Sequence, residues 1–125
     1  MKICIPSSAG DLIDRITILE VKRRFIQDKT KLKNIEKHLK ELHKVYAKLT
    51  KTRTLHRLHK MLFDINYRQW QLEDKVRVYL RERRIDPAFA RLVRAIHLSN
   101  DKRAKVKRLV DEHTGSHFVD EKHYA

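Results

Sequence analysis

The chain has 125 residues, with 30 Lys and Arg against 16 Asp and Glu, and a formal net charge of +14. That length fits one domain, the 41% of hydrophobic residues is enough for a core, and the charge predicts anionic partners. Two prolines and two glycines are too few for the turns of an all-β fold, and Gly10 and Gly115 cannot form a glycine-rich phosphate loop.

The cysteine content and the hydropathy limit the cellular compartments in which we expect to find the protein. Cys4 is the only cysteine, which excludes an intramolecular disulfide and a cysteine-cluster zinc site. No apolar run is long enough for a membrane span, and the residues before Pro6 are too few for a signal peptide. We therefore expect a cytoplasmic protein, of a bacterial cell or a phage-infected host, with no membrane partner.

Apolar residues at helical spacing predict a first helix from about residue 9 to 26, capped by Ser7 or Ser8. A second helix, about 30 to 49, follows a cap at Asp28 or Thr30. Its apolar residues step by three and four in a heptad seam: Leu32, Ile35, Leu39, Leu42, Tyr46 and Leu49.

A third helix, from about 55 to 83, repeats the pattern with Gln69 as its only polar member. Two seams joined by a short polar turn predict that helices two and three form an antiparallel hairpin with a projecting basic tip. The predicted fold is therefore all-α, a helical bundle built on a long antiparallel helical hairpin, in one domain over residues 1–125. Self-association through the hairpin is a further expectation.

The last part of the chain predicts a fourth helix that begins at Asp86-Pro87 and a helix end at Gly115. Ser99-Asn100-Asp101 either caps a fifth helix or marks a bend. Residues 116–125 are predicted to be an irregular tail, which Phe118, Val119 and Tyr124 would anchor to the bundle.

Positive charge concentrates in residues 29–60, the basic arm of the predicted hairpin, which holds 11 basic and 2 acidic residues. This arm is a solvated helical face, a contact surface for phosphate, or a partner-protein surface. Lysine outnumbers arginine, which favours diffuse attraction to a phosphate backbone over base-specific contacts. The residues of this electrostatic surface are Lys33, Lys37, Lys40, Lys44, Lys48, Lys51, Arg53, Arg57 and Lys60.

Three segments combine carboxylates and cations at helical spacing, and we expect them to converge on one polar pocket for a phosphate or carboxylate ligand. The alternative is an ion-pair network that only holds helices together. In the pocket, three carboxylates would face Arg77, Arg103 and Lys107. The candidate residues are Asp14, Thr17, Glu20, Trp70, Glu73, Asp74, Arg77, Asn100, Arg103 and Lys107. The sequence assigns no catalytic residue and no cofactor. It also assigns no metal ligand, because His56 and His59 have no carboxylate or cysteine nearby to complete a ligand set.

The same segments resemble an uncharacterised family of small helical bacterial and phage proteins, catalogued as a domain of unknown function. The resemblance lies in Ser8–Lys22 (SAGDLIDRITILEVK), Trp70–Arg77 (WQLEDKVR), Asn100–Arg108 (NDKRAKVKR) and the ending, and it covers nearly the whole chain. It implies an all-helical domain and no known reaction. A looser similarity compares Arg15 and Arg24 with the substrate arginines of helical chorismate mutases.

We therefore expect a non-enzymatic binding protein for a phosphate-bearing anionic ligand, either a nucleotide or a nucleic acid. In a phage setting, such a protein would sequester a nucleotide signal. The alternatives are a small helical enzyme that uses a cluster of Glu20, Glu73 and Arg103, and a coiled-coil adaptor or structural protein.

Overall fold

Four α-helices account for most of residues 1–118 and 121–123, the part of the chain that the computed structural model describes. They are α1 (Ala9–Phe25), α2 (Lys29–Tyr46), α3 (Arg53–Arg81) and α4 (Pro87–Thr114). Strands are absent from these described residues, which confirms an all-α helical bundle. No described helix is both long enough and apolar enough to cross a membrane.

Side-chain caps fix where each helix begins. Ser8, Asp28, Thr52 and Asp86 each accept a hydrogen bond from a backbone N–H in the first turn that follows. The structure thus confirms the caps predicted at residues 8, 28 and 86. Gly115 ends α4 with a left-handed φ of 66°, as predicted.

The prediction of a break near residues 99–101 is wrong, because α4 runs through them without interruption. The side chains of Ser99 and Asn100 bond across to α3 instead of capping a new helix. Ser99 donates to the Gln69 side chain at 3.2 Å, and the Asn100 oxygen accepts from the Gln69 amide at 3.0 Å.

The structure contains a long antiparallel hairpin, but α3 and α4 form it. Thr52 pairs with His113 at one end, and Tyr79 packs near Phe89 at the other. The predicted pairing of the second helix with the third is wrong. Over the described residues, α2 lies along α1, which also contacts α3 and α4, and α2 meets α3 where Tyr46 at its C-terminal end contacts His59.

The two heptad seams pack against different helices, which explains why the predicted pairing of the second helix with the third is wrong. The α2 seam packs Ile35 and Leu39 against Ile16 and Leu19 of α1. The α3 seam packs against α1 and α4 in a second cluster, made of Ile13, Leu55, Leu58, Leu62, Val106 and Val110. A heptad repeat specifies an apolar stripe on its own helix, but not the helix that covers it.

Burial stops part-way along the α3–α4 hairpin. Leu72 is the last buried residue of α3 and Val106 is the first of α4. We call residues 73–98, the part of this stretch before the Ser99–Gln69 contact, the distal pair. The predicted position of the projecting tip, at the turn between α2 and α3, is therefore wrong. That turn is held to α4 by the Thr52–His113 contact, and the distal pair is the part that extends beyond α1.

The beginning of the tail is attached through a polar contact. The Ser116 hydroxyl accepts from the backbone N–H of Ala9 at 3.1 Å. Phe118 is 55% exposed and does not anchor the tail. Val119 and Tyr124, the other two predicted anchors, lie outside the described residues. Self-association through the hairpin stays a prediction.

Candidate functional site

Asp14 is the centre of a polar network inside the bundle. It lies on α1 between the buried residues Ile13 and Ile16, and its side chain is only 6% exposed. The Arg103 guanidinium of α4 donates to both carboxylate oxygens, from Nε to Oδ1 at 2.8 Å and from Nη2 to Oδ2 at 2.7 Å. Such a two-point charged contact compensates for the burial of both groups.

Neighbouring amides and hydroxyls complete the network. The Asn66 amide of α3 donates to Asp14 Oδ1 at 3.0 Å and to Thr17 Oγ1 at 2.9 Å. The Thr17 hydroxyl donates to the Asp14 carbonyl at 2.8 Å. The hydrogen bonds to Asp14 raise the pKa of Arg103, against the opposing effect of burial. The network holds the Arg103 side chain in a fixed position between α1, α3 and α4.

A cleft of about 250 Å³ opens beside this network, where α1 packs against α3. Its lining combines an apolar wall with cationic and amide groups. The lining residues are Ile18, Val21, Lys22, Asn66, Gln69, Trp70, Glu73, Arg77 and Arg103.

Trp70 forms the aromatic part of the cleft. Its ring stacks on Phe25, with the centroids 5.4 Å apart and the planes 17° apart. The indole nitrogen is buried and has no acceptor among the described residues. A buried donor without a partner costs about 1–3 kcal/mol, so Trp70 stands out from an otherwise well-paired interior.

The three cations of the cleft differ in how they are engaged. Arg103 is bound to Asp14, and Arg77 forms an exposed pair with Asp74 at 2.7 Å. Lys22 has no ion-pair or hydrogen-bond partner in the described part of the chain. Glu73 accepts one long hydrogen bond, 3.5 Å, from Gln69.

The structure brings part of the predicted pocket together. Trp70, Glu73, Arg77 and Arg103 line the cleft, while Asp14, Thr17 and Asn100 lie behind it in the network. Asp74 lies on the surface beside Arg77. Lys107 pairs with Asp11 at 2.7 Å, outside the cleft lining.

Sequence reasoning missed three polar residues of the cleft lining, besides the apolar Ile18 and Val21. Gln69 carried a signal, because it was the single polar residue of an apolar seam. Asn66 lies one turn before it on the same face of α3, and Lys22 stood in the opening motif without an assigned role.

Glu20 lies in a separate group, so the predicted cluster with Glu73 and Arg103 does not form. His59 Nε2 donates to Glu20 at 3.1 Å, and the Tyr46 hydroxyl lies 3.4 Å from His59 Nδ1. Burial, reinforced by the charge of Glu20, raises the pKa of Tyr46. The described residues contain no set of three or more His, Cys, Asp or Glu that could hold a metal ion.

Comparison with protein families matches all of residues 1–125 to DUF6165, a family of unknown function. The chain belongs to this family. The match confirms the resemblance to an uncharacterised family over the whole length. Comparisons with curated proteins and with solved structures gave no match.

In this DUF6165 chain the predicted basic surface is divided between two helices. Lys33, Lys37, Lys40 and Lys44 step by three and four along the exposed side of α2, and Lys48 lies two residues beyond its end. Lys51 instead donates to the carbonyls of Tyr46 and Leu49, which caps the end of α2. The three remaining cations are exposed on α3: Arg53, Arg57 and Lys60. This helix meets α2 at the Tyr46–His59 contact and does not pack along its length.

Proposed function

We propose that this DUF6165 protein is a non-enzymatic binding protein whose cleft holds a small phosphate-bearing ligand, such as a mononucleotide. The observation that carries the proposal is the unpaired Lys22 ammonium in the same cleft as Arg77 and Arg103. A phosphate group accepts several charge-assisted hydrogen bonds, and such bonds are about twice as strong as neutral ones.

The remaining lining suits the other parts of a nucleotide. The Trp70 ring is an aromatic surface, the Gln69 amide is a donor and an acceptor, and Glu73 is an acceptor. A volume of about 250 Å³ lies near the lower end of small-molecule pockets, which favours a compact ligand over a polymer. In a phage-infected cell, such binding would sequester a nucleotide signal.

Trp70 provides a direct test, because it is the only tryptophan in the chain. We expect its fluorescence to change saturably when AMP, ATP or inorganic phosphate is titrated at fixed ionic strength. Lys22→Ala should weaken binding about tenfold through the loss of one charge-assisted contact. Lys75→Ala, which removes an exposed lysine of α3, is the matched control. Equal affinities for the two variants would refute the proposal.

The lysine face of α2 supports a second candidate, the binding of a nucleic-acid backbone. Lys33, Lys37, Lys40 and Lys48 have no partner among the residues the structure describes, and α2 buries its apolar face on α1. About four phosphate contacts on duplex DNA predict that log K falls with log salt at a slope of roughly −4. Affinity that does not change between about 50 and 200 mM salt would exclude this candidate.

A further inference from the structure

The distal pair, residues 73–98, is a two-helix segment without a buried residue. Its inward-facing apolar residues are only half-buried, among them Tyr79, Phe89 and Ile96. Others are open to solvent, with Leu80 53%, Ile85 79% and Val93 45% exposed. The two helices leave these apolar residues uncovered, because this part of the fold lacks the third helix that α1 supplies elsewhere.

The exposed apolar residues lie along a groove between the two helices of the distal pair. This groove continues the surface of α3 and α4 on which α1 packs. On α3, the residues at positions 66, 70 and 73 are followed on the same face by Arg77 and Leu80. On α4, Arg103 and Asn100 are followed on the same face by Ile96 and Val93. The α1 helix ends at Phe25, which packs on Trp70. The 11 residues of α3 beyond Trp70 extend about 16 Å, which is the length of a three-turn helix.

Charge identifies the kind of helix that fits this groove. Residues 73–98 contain seven cations and four carboxylates. Three of the carboxylates are already paired, Glu82 and Asp86 with Arg84 and Asp74 with Arg77. Six of the cations are arginines, which bind carboxylates in two-point contacts and are enriched at protein interfaces. Four of these have no partner in the described ranges: Arg81, Arg83, Arg91 and Arg94.

We propose that the distal pair is a docking surface for an acidic amphipathic helix of a partner protein. The apolar side of the partner helix lies on Leu80, Val93 and Ile96, in line with α1, and its carboxylates face the surrounding arginines. A second copy of this chain brings the same positive charge to the groove, so charge favours a different, acidic partner. This inference is independent of ligand binding in the cleft.

The direct test uses a fluorescein-labelled synthetic helix of about 14 residues, with leucines on one face and glutamates on the other. We expect saturable binding to the full-length protein and protection of residues 73–98 from hydrogen exchange. Val93→Asp should lower the affinity at least tenfold. Val45→Asp is the matched control, because Val45 is 47% exposed on α2 and the charge change is the same.

Three results would overturn the proposal. The first is no saturable binding, or equal binding by the two variants. The second is a particle of twice 15.1 kDa in light scattering that Val93→Asp converts to the monomer, which would assign the groove to a second copy. The third is binding to anionic lipid vesicles, lost in Val93→Asp, with no binding of the peptide. Nucleotide titration of Val93→Asp should match the wild type, which separates this test from that of the cleft.

Discussion

Two aspartate–arginine pairs of the same length lie in very different surroundings. Asp14 and Arg103 meet inside the bundle at 2.7 Å, with side chains 6% and 26% exposed. Asp74 and Arg77 also meet at 2.7 Å, but both are more than half exposed. Water competes much more strongly for the second pair than for the first, so the first pair has the larger effect on stability.

Replacement of Asp14 by Asn should therefore be costly. The new amide places an N–H group against the Arg103 guanidinium, and one buried charge loses its partner. We expect a loss of about 3 kcal/mol in the free energy of unfolding, measured by urea denaturation. Asp74→Asn, the exposed counterpart, should cost less than about 0.5 kcal/mol. Similar losses in the two variants would show that the buried pair has no special role.

Gly10 allows α1 to approach α4 closely. A Cβ atom at this position would lie 2.5 Å from the Lys107 carbonyl oxygen and 2.7 Å from Asp111 Oδ1, which accepts from the Gly10 N–H. Helix propensity alone predicts that Gly10→Ala is stabilising by about 1 kcal/mol. We expect the opposite sign, a loss of about 1–3 kcal/mol, because the α4 backbone must move. Arg15→Ala, at an exposed position of α1, is the control.

Asp11 gives the fold a measurable dependence on acid. Burial raises the pKa of its carboxyl, but Lys107, Ser7 and Ser8 outweigh that effect and hold the pKa below the ordinary 3.8. The folded state thus binds this proton more weakly than the unfolded state does. The contribution of ionised Asp11 to the stability of the fold is therefore complete above pH 3.8, the ordinary pKa, and is lost as the pH falls through the lower pKa of the folded state. We expect the stability difference between wild type and Asp11→Asn to shrink in that range. A difference that does not vary with pH would contradict this assignment.

At the scale of elements, α2 packs mainly on α1 and meets α3 through Tyr46 at its C-terminal end. It buries only Ile35 and Leu39, and both pack against α1. Helices with few buried contacts open at low free energy. We expect the amides of α2 to exchange faster than those of α3 between residues 55 and 72, as measured by hydrogen exchange. Leu39→Ala should accelerate exchange in α2 and leave the α3 amides nearly unchanged. Uniform acceleration would show that the bundle opens as one unit.

The sequence could predict the helices better than their partners, for a physical reason. Caps such as Ser8, Asp28 and Asp86 act on N–H groups three residues away, so local sequence contains their signal. The packing of α2 on α1 depends on which apolar stripe meets which, and spacing alone does not encode it. Similarly, Asp14 and Arg103 were both candidate residues, but their pairing across 89 positions became visible only in the fold.

The whole molecule places its positive charge on outer faces that have few carboxylates. Residues 29–60 have a net charge of +9. In α1, which contacts the other three helices, positive and negative charges nearly cancel. The lysines of α2 therefore repel one another across a few helical turns, at distances where dissolved salt screens strongly. This arrangement keeps a strongly positive face away from the Asp14 network, at a cost in stability at low ionic strength.

Salt should therefore stabilise the protein before any ligand is added. We expect the melting temperature to rise by about 3 °C between about 20 and 300 mM NaCl, because screening relieves repulsion within the folded chain. A variant with Gln at positions 33, 37, 40 and 48 should melt higher at low salt and show a smaller rise. Its neutral side chains remain exposed, so the core does not change. If the melting temperatures of the two proteins rise equally with salt, the repulsion does not come from these lysines. The arginines of the distal pair would then be the next residues to neutralise.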